Sequence, residues 1–143
     1  MTILASVWQR FVVADRSMEP ALVAGDRLLG NRSRRPFTRG EVVVIPHPLR
    51  QDFWLVKRVI GLPGEVVTVD FGQVLIDGVP AADLWGKGST MPEGVWKVDA
   101  GELFVLSDNR LATQDDSRSF GPIPEGAAFH ALPMRLWLGR SRT

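Results

Sequence analysis

The amino-acid sequence predicts a mostly β protein, and three features of the sequence indicate this fold class. Short runs rich in Val, Ile, Leu and Phe are separated by Gly, Pro and Asp, which end strands and form turns. No stretch keeps the apolar period of a helix over several turns. The length of 143 residues, with 45% hydrophobic, suits a single core. We therefore expect residues 1–143 to form one compact β-sheet domain.

The apolar runs predict eight strands. The two strands within 65–77 are expected to form a hairpin, because Asp70-Phe71-Gly72 supplies a turn residue that accepts positive φ. Residues 80–97 contain two prolines and three glycines, so we expect a small irregular insertion there rather than a second domain. The predicted strands cover about 7–14, 27–31, 41–46, 53–60, 65–70, 73–77, 102–106 and 127–138.

The composition narrows the available chemistry. The absence of cysteine excludes disulfides, thiolate metal sites and a cysteine nucleophile. Two histidines leave little imidazole for hydrolysis, and no metal or organic cofactor is suggested. A net charge of +1 gives no reason to expect a nucleic-acid partner. No window offers the roughly 20 apolar residues of a spanning helix, so the chain as given is not expected to cross a membrane.

Lys57 lies within the apolar strand predicted over 53–60. Side chains alternate between the two faces of a strand, which places Lys57 on one face with Leu55 and Val59. An amine among aliphatic neighbours is desolvated, which lowers its pKa and lets it take a proton from a hydroxyl. Alternatively, Lys57 extends from an edge strand and keeps its charge in water.

Ser17 lies in a predicted bend, because Pro20 fixes its own φ and pushes Glu19 toward extended geometry. A serine on a rigid bend presents its hydroxyl with little rotamer freedom, and its backbone N–H can face a developing oxyanion. The simpler alternative is that Ser17 only caps the turn.

A third segment, the loop after the strand predicted over 102–106, is rich in charged and small polar side chains. An ion pair between Asp116 and Arg118 would stiffen this loop. The nearby side chain of Thr113 or Gln114 would be able to orient the lysine amine through a hydrogen bond.

Together these segments resemble the bacterial type I signal peptidase family, whose three motifs occur in the family's order within residues 15–123. The resemblance implies that Ser17 is the nucleophile, that Lys57 is the general base and that Asp116 and Arg118 support the site. It also implies a mostly β catalytic core that cleaves after small residues, in an Ala-x-Ala-like pattern, in the signal sequences of exported precursors. The first motif is Ser17-Met18-Glu19-Pro20, and the second is Lys57-Arg58-Val59-Ile60-Gly61-Leu62-Pro63-Gly64-Glu65. The third is discontinuous and consists of Asp108-Asn109-Arg110, Asp116-Ser117-Arg118 and Gly121.

The sequence departs from the family pattern at three places. Asp15 stands two residues before the nucleophile, where the family has Gly, Ser or Thr, and an ionised carboxylate there would repel an oxyanion. We expect Asp15 to turn away from the site, toward Arg16 or another cation. Ser107 stands where the family prefers glycine. The segment between Asn109 and Asp116 is about one residue longer than usual, which leaves open whether Thr113 or Gln114 orients Lys57.

The resemblance implies a precursor protein as partner and a bacterial enzyme at the extracytoplasmic face of the membrane. With no spanning segment in the sequence, a cytoplasmic location remains an alternative. A basic loop would contact anionic lipid or simply be solvated, and nothing in the sequence indicates an oligomeric state. The arginines of this loop are Arg32, Arg34, Arg35 and Arg39.

Two other functions remain open at this stage. In the first alternative, the chain is a soluble maturation protease for one intracellular precursor, like the proteases resembling signal peptidases that process nickel superoxide dismutase. In the second alternative, the chain is not an enzyme but a β-rich binding module that keeps the scaffold without activity. The presence of Asp15 favours this alternative.

Overall fold

The computed structural model describes residues 8–134 and confirms the mostly β fold class. In this part of the chain, seven strands form one sheet, in the order β1-β2-β11-β3-β4-β9-β10, and four form a second, in the order β7-β6-β5-β8. The strands are β1 (Trp8–Val12), β2 (Arg27–Asn31), β3 (Val42–Pro46), β4 (Trp54–Gly61), β5 (Val66–Asp70), β6 (Gln73–Ile76), β7 (Val79–Pro80), β8 (Gly94–Lys97), β9 (Glu102–Leu106), β10 (Ile123–Pro124) and β11 (Phe129–Pro133).

All eight predicted strands have counterparts in the structure. The predictions for the first and last strands reach residue 7 and residues 135–138, which lie outside the described residues. The prediction that 80–97 is irregular is wrong at its end, where β8 pairs with β5. Trp96 of β8 packs against Phe104 of β9, with ring centroids 5.1 Å apart. This long-range packing stabilises a strand that is too short to show a clear sequence pattern.

β4 is an interior strand of the larger sheet and runs antiparallel to β3 on one side and β9 on the other. Leu55 and Val59 of β4 lie in a buried cluster with residues of β3 and β9. Ile60 belongs to a different cluster, which includes residues of the smaller sheet. Because both neighbouring positions are occupied, the alternative that Lys57 guards a sheet edge is wrong.

The hairpin predicted within 65–77 is confirmed. β5 and β6 pair antiparallel with Asp70 opposite Gln73, and the two connecting residues, Phe71 and Gly72, have φ of 48° and 75°. Positive φ at both positions is the geometry of a tight two-residue hairpin turn. Apolar residues of both strands pack with Phe104, so the smaller sheet covers part of β9.

Helical structure among residues 8–134 is limited to short turns. The helix α1 (Ser117–Phe120) is capped by Asp116, whose carboxylate accepts a hydrogen bond from the backbone N–H of Arg118. A 3-10 turn, Glu125–Ala127, follows β10. None of the helical segments in this part of the chain has the length and apolar content required to cross a bilayer.

Candidate active site

Ser17 lies in the turn after β1, and the core anchors this turn. Met18 and Leu22 are 0% and 1% exposed and belong to a cluster with residues of β1, β2 and β3. Burying a side chain of this size stabilises a fold by about 1.5–3 kcal/mol. The carbonyl of Ser17 accepts a hydrogen bond from the backbone N–H of Asn109 at 2.8 Å. The position of Ser17 is therefore fixed by the core and by the loop after β9.

Ser17 is one of the residues that line an open groove of about 510 Å³. The Ser17 hydroxyl forms no hydrogen bond to another residue within 8–134, where Asn31 Oδ1 is the one fully buried side-chain polar atom without a partner. Ser17 as a whole is 4% exposed. The groove is lined by Asp15, Arg16, Ser17, Asn109, Leu111, Ala112 and Thr113.

Lys57 is buried in the larger sheet at 1% exposure. The β4–β9 register pairs Arg58 with Leu106 and so brings Lys57 opposite Ser107. Lys57 Nζ donates a hydrogen bond to Ser107 Oγ at 2.9 Å. Burial lowers the pKa of Lys57, and this effect outweighs the opposing influence of nearby carboxylates, that of Asp116 first. The direction predicted for this pKa is confirmed.

Both members of the expected dyad, Ser17 and Lys57, form hydrogen bonds with the segment 107–109. Ser107 accepts the bond from Lys57, and two residues later the N–H of Asn109 donates to the carbonyl of Ser17. Within residues 8–134 no hydrogen bond joins the side chains of Ser17 and Lys57 directly. The structure thus brings the two expected catalytic residues to one short segment without a direct bond between them.

Asp116 and Arg118 form the ion pair expected from the sequence, and both side chains are 0% exposed. Arg118 Nε and Nη2 donate to the two carboxylate oxygens of Asp116 at 2.9 and 2.7 Å. Burial alone would raise the pKa of Asp116, but its bonds to Arg118 and to backbone N–H groups lower it below its ordinary value. Asp116 Oδ2 also accepts from the backbone N–H of Ser107 at 3.0 Å, which connects the pair to the site.

In this structure the hydrogen bond of the Lys57 amine does not go to Thr113 or Gln114, the two residues considered from the sequence. Thr113 Oγ1 accepts a hydrogen bond from the backbone N–H of Asp115, and Gln114 is exposed. The partner of the amine is Ser107, whose side chain the sequence analysis did not assign to the site. The register of β4 against β9 is the signal that identifies this partner, and sequence alternation alone does not supply that register.

Asp15 does not turn away from the site, contrary to expectation. Asp15 Oδ1 accepts a hydrogen bond from the backbone N–H of Ser17 at 3.0 Å. This N–H is the donor expected to bind the oxyanion of a reaction intermediate. In this structure the carboxylate therefore occupies a position that an oxyanion would need.

Asp115, next to the capping residue of α1, is bound by a histidine from another loop. His47 is buried, and its Nε2 lies 2.8 Å from Asp115 Oδ1. His47 Nδ1 accepts from the backbone N–H of Leu49 at 3.1 Å, so the proton of a neutral ring lies on Nε2. This bond ties the lengthened segment between Asn109 and Asp116 to the loop after β3.

Part of the basic loop is neutralised by neighbouring groups. Arg39 forms two bonds of 2.7 Å with Glu65, and Arg35 lies 2.9 Å from Glu41. The guanidinium of Arg32 lies 4.2 Å from the centre of the Phe129 ring. The loop is therefore less available to an anionic surface than four unpaired arginines would be.

Three comparisons with known proteins identify the family of this chain. The sequence profile of the family described as "Signal peptidase, peptidase S26" matches residues 1–137. A "Signal peptidase I" of Leptolyngbya laminosa is 34% identical over 141 residues, which are 87% of this chain and 66% of the relative. One from Bacillus caldolyticus is 31% identical, with 95% of this chain and 83% of the relative covered. This chain thus spans just under two thirds of the L. laminosa protein and more of the other.

A solved structure adds support for the fold. The crystal structure of a signal peptidase I from Enterococcus faecalis V583 superposes with a TM-score of 0.59 at 26% identity, covering 70% of this chain and 99% of that one. The profile match takes in both Ser17 and Lys57 and extends over almost the whole sequence. On this evidence the chain belongs to the signal peptidase family, peptidase S26.

Proposed function

We propose that this chain is a serine endopeptidase that removes signal peptides from precursor proteins, with Ser17 as nucleophile and Lys57 as general base. The observation that carries the proposal is the position of Lys57, which is buried on an interior strand without a carboxylate bonded to it among the described residues. Its lowered pKa favours the neutral amine, which is the form that accepts a proton. Membership of the peptidase S26 family supports peptide-bond hydrolysis as the reaction.

The first half of the reaction forms an acyl-enzyme. Lys57 Nζ takes the proton of Ser17 Oγ while this oxygen attacks the scissile carbonyl carbon. The tetrahedral intermediate then expels the amine of the mature protein, to which the Lys57 ammonium returns the proton. No hydrogen bond joins the side chains of Ser17 and Lys57 in this structure. The lone pair of Lys57 Nζ must therefore turn toward Ser17 Oγ when substrate binds.

The second half of the reaction releases the signal peptide. A water molecule loses a proton to Lys57 and attacks the ester carbon that Ser17 carries. Collapse of this intermediate frees a peptide carboxylate, and Ser17 Oγ recovers its proton from the lysine. The backbone N–H of Ser17 would stabilise the oxyanion in both halves once Asp15 has released it.

The proposed substrate has small residues at the first and third positions before the cleaved bond. The groove lined by Ser17 is the space available for such a segment, and residues of the Ser17 turn and of the loop after β9 line it. The relatives named "Signal peptidase I" support a signal sequence as the substrate. One observation favours the inactive binding module instead, namely the carboxylate of Asp15 on the N–H of Ser17.

A precursor-cleavage assay tests the proposal. Purified chain is incubated with a precursor carrying an Ala-x-Ala site, and the products are identified by mass spectrometry. We expect cleavage directly after the second small residue, and loss of cleavage in Ser17→Ala and in Lys57→Met. Lys97→Met, which alters an exposed lysine, is the matched control and should remain active. Cleavage by folded Ser17→Ala would overturn the nucleophile, and no cleavage by the unmodified chain would favour the binding module.

A further inference from the structure

We propose that Ser107 is the residue that positions Lys57 for proton transfer, a role that rests on the proposed function. Ser107 accepts the hydrogen bond that Lys57 Nζ donates, at 2.9 Å. The side chains considered for this task from the sequence, Thr113 and Gln114, form no hydrogen bond to the lysine. A hydroxyl at position 107, where the family resemblance leads one to expect glycine, therefore takes over the task in this chain.

The pairing of two interior strands sets this contact. In the β4–β9 pair, Arg58 lies opposite Leu106 and Val59 opposite Val105. Continuing this register by one residue places Lys57 opposite Ser107 at the end of β9. Directly opposed residues of antiparallel strands have Cβ atoms only about 4.5–5.5 Å apart, so a long side chain folds back readily onto a short one. The contact is thus a consequence of sheet geometry.

The position of Ser107 is itself fixed. The residue is 0% exposed, its backbone N–H donates to Asp116 Oδ2 at 3.0 Å, and its carbonyl accepts from Arg110 Nε at 2.5 Å. Asp116 is held in turn by Arg118. The buried ion pair therefore helps to fix the backbone of Ser107, from which the hydroxyl reaches the Lys57 amine.

The chemistry of a neutral amine explains how the hydrogen bond between Lys57 and Ser107 would assist proton transfer. Such an amine has two N–H donors and one lone pair, and only the lone pair accepts a proton. Donation of one N–H to Ser107 restricts rotation of the amine, which helps to direct the lone pair toward Ser17. Misplacing a catalytic group by about 1 Å costs rate on the order of 100-fold.

Steady-state kinetics of Ser107→Ala provide the first test. We expect kcat to fall on the order of 100-fold, with KM nearly unchanged, because the groove residues are unaltered. Ser117→Ala is the matched control, since the Ser117 hydroxyl is also fully buried and accepts from Val105 N–H at 2.9 Å. It should lower thermal stability and leave the kcat of the folded enzyme unchanged. Equal kcat losses in the two variants would overturn the proposal.

A titration of Lys57 tests the contact without any activity. The sequence contains three lysines, of which Lys87 and Lys97 are exposed, so lysine labelled with ¹³C at the ε carbon gives three NMR signals. The Ser107 hydroxyl stabilises the charged amine by accepting from it, so Ser107→Ala should lower the pKa of Lys57 further. The Ser117→Ala control keeps every charged group around the amine, so its Lys57 signal should not shift. These groups are Asp116, Asp15, Asp115 and Arg118.

The two measurements separate failure of this inference from failure of the proposed function. A shifted Lys57 titration in a chain that cleaves no precursor supports the contact and contradicts the peptidase proposal. An active chain in which Ser107→Ala changes neither the Lys57 titration nor kcat contradicts only the positioning role. If Ser107→Ala does not fold, Ser107→Gly serves instead, because it also removes the hydroxyl and restores the residue that the family prefers.

Discussion

Lys57 and Arg58 are consecutive cations on β4 and both are buried, but among the described residues only Arg58 is bonded to a carboxylate. Arg58 Nε and Nη2 donate to the two oxygens of Asp108 at 2.8 and 2.6 Å. Lys57 Nζ donates to the neutral hydroxyl of Ser107. A buried guanidinium with a bidentate partner stays charged, whereas a buried amine bonded to a hydroxyl is shifted toward its neutral form. Adjacent positions of one strand thus hold a structural cation and a candidate base.

The activity should rise with pH, because the neutral form of Lys57 is the active one. Burial lowers the pKa of Lys57, so the rise should occur below the ordinary pKa of a lysine. Lys57→Arg should be inactive at every pH tested, since a guanidinium does not lose its proton in this range. The pH dependence of kcat/KM checks both statements. A flat profile, or activity in Lys57→Arg, would contradict the assignment of the base.

Lys57→Met should stabilise the fold while removing activity. Between the lowered folded pKa and the ordinary unfolded pKa, the unfolded chain binds a proton that the native chain lacks, so the stability of the unmodified protein increases with pH. The gain from Lys57→Met should therefore be largest at low pH and shrink as pH rises, with a size near neutrality of about 1–2 kcal/mol. Urea unfolding across pH measures it, with Lys97→Met as the exposed control. A loss of stability at low pH would show that the amine contributes to folding.

Arg118→Met should destabilise the protein strongly. Removing one partner of a buried ion pair costs about 3–5 kcal/mol, because Asp116 is left charged and unpaired. Arg35, whose side chain is 57% exposed where it pairs with Glu41, supplies the control, and Arg35→Met should cost at most about 1 kcal/mol. Chemical unfolding midpoints compare the two variants.

The lowered pKa of Asp116 adds an acid dependence to this comparison. Its contribution to stability is present above the unfolded pKa of an aspartate and is lost as pH falls through the lower folded pKa. The loss of stability in acid should therefore be shallower in Arg118→Met than in the unmodified protein. Similar acid profiles and similar midpoints for Arg118→Met and Arg35→Met would contradict the large contribution to stability that we assign to the buried pair.

Local patterns predict part of this site. The alternation of apolar residues around Lys57 is compatible with a desolvated amine or with a lysine on an edge strand, and the structure supports the first because β4 has a neighbouring strand on each side. Pro20 predicts a bend at Ser17, and the buried side chain of Met18 fixes that bend in the core. Such features depend on residues close together in the sequence, which is why they can be predicted from it.

Contacts between distant segments could not be predicted in the same way. Lys57 and Ser107 are 50 positions apart, and the register that joins them follows from the pairing of two strands. The strand β8 likewise depends on pairing with β5 and on packing of Trp96. Local polarity suggested Thr113 or Gln114 as the partner of the lysine, but Gln114 is exposed and the hydroxyl of Thr113 accepts from a backbone N–H.

The position of Asp15 leads to a test of how this chain binds an oxyanion. The carboxylate accepts from the N–H of Ser17 at 3.0 Å and must release it before that N–H can serve the reaction. Asp15→Ala would free the N–H without adding a donor, whereas Asp15→Ser would also add a hydroxyl of the kind found in the family. Both variants remove a charge that raises the pKa of Lys57, so both should shift the activity profile toward lower pH.

We expect kcat to increase from the unmodified chain to Asp15→Ala and again to Asp15→Ser, with little change in KM, because the new bonds strengthen as charge develops. One oxyanion donor contributes about 2.7–4 kcal/mol in other serine proteases, so Asp15→Ser should exceed Asp15→Ala by about 10²–10³ in kcat. Since the two variants share the same pH shift, their difference reports the added donor alone. Single-turnover cleavage of one precursor at matched pH measures this difference. A sharp fall of kcat in Asp15→Ser would mean that the carboxylate performs a catalytic or structural task at Ser17, and the account of the oxyanion would then be wrong.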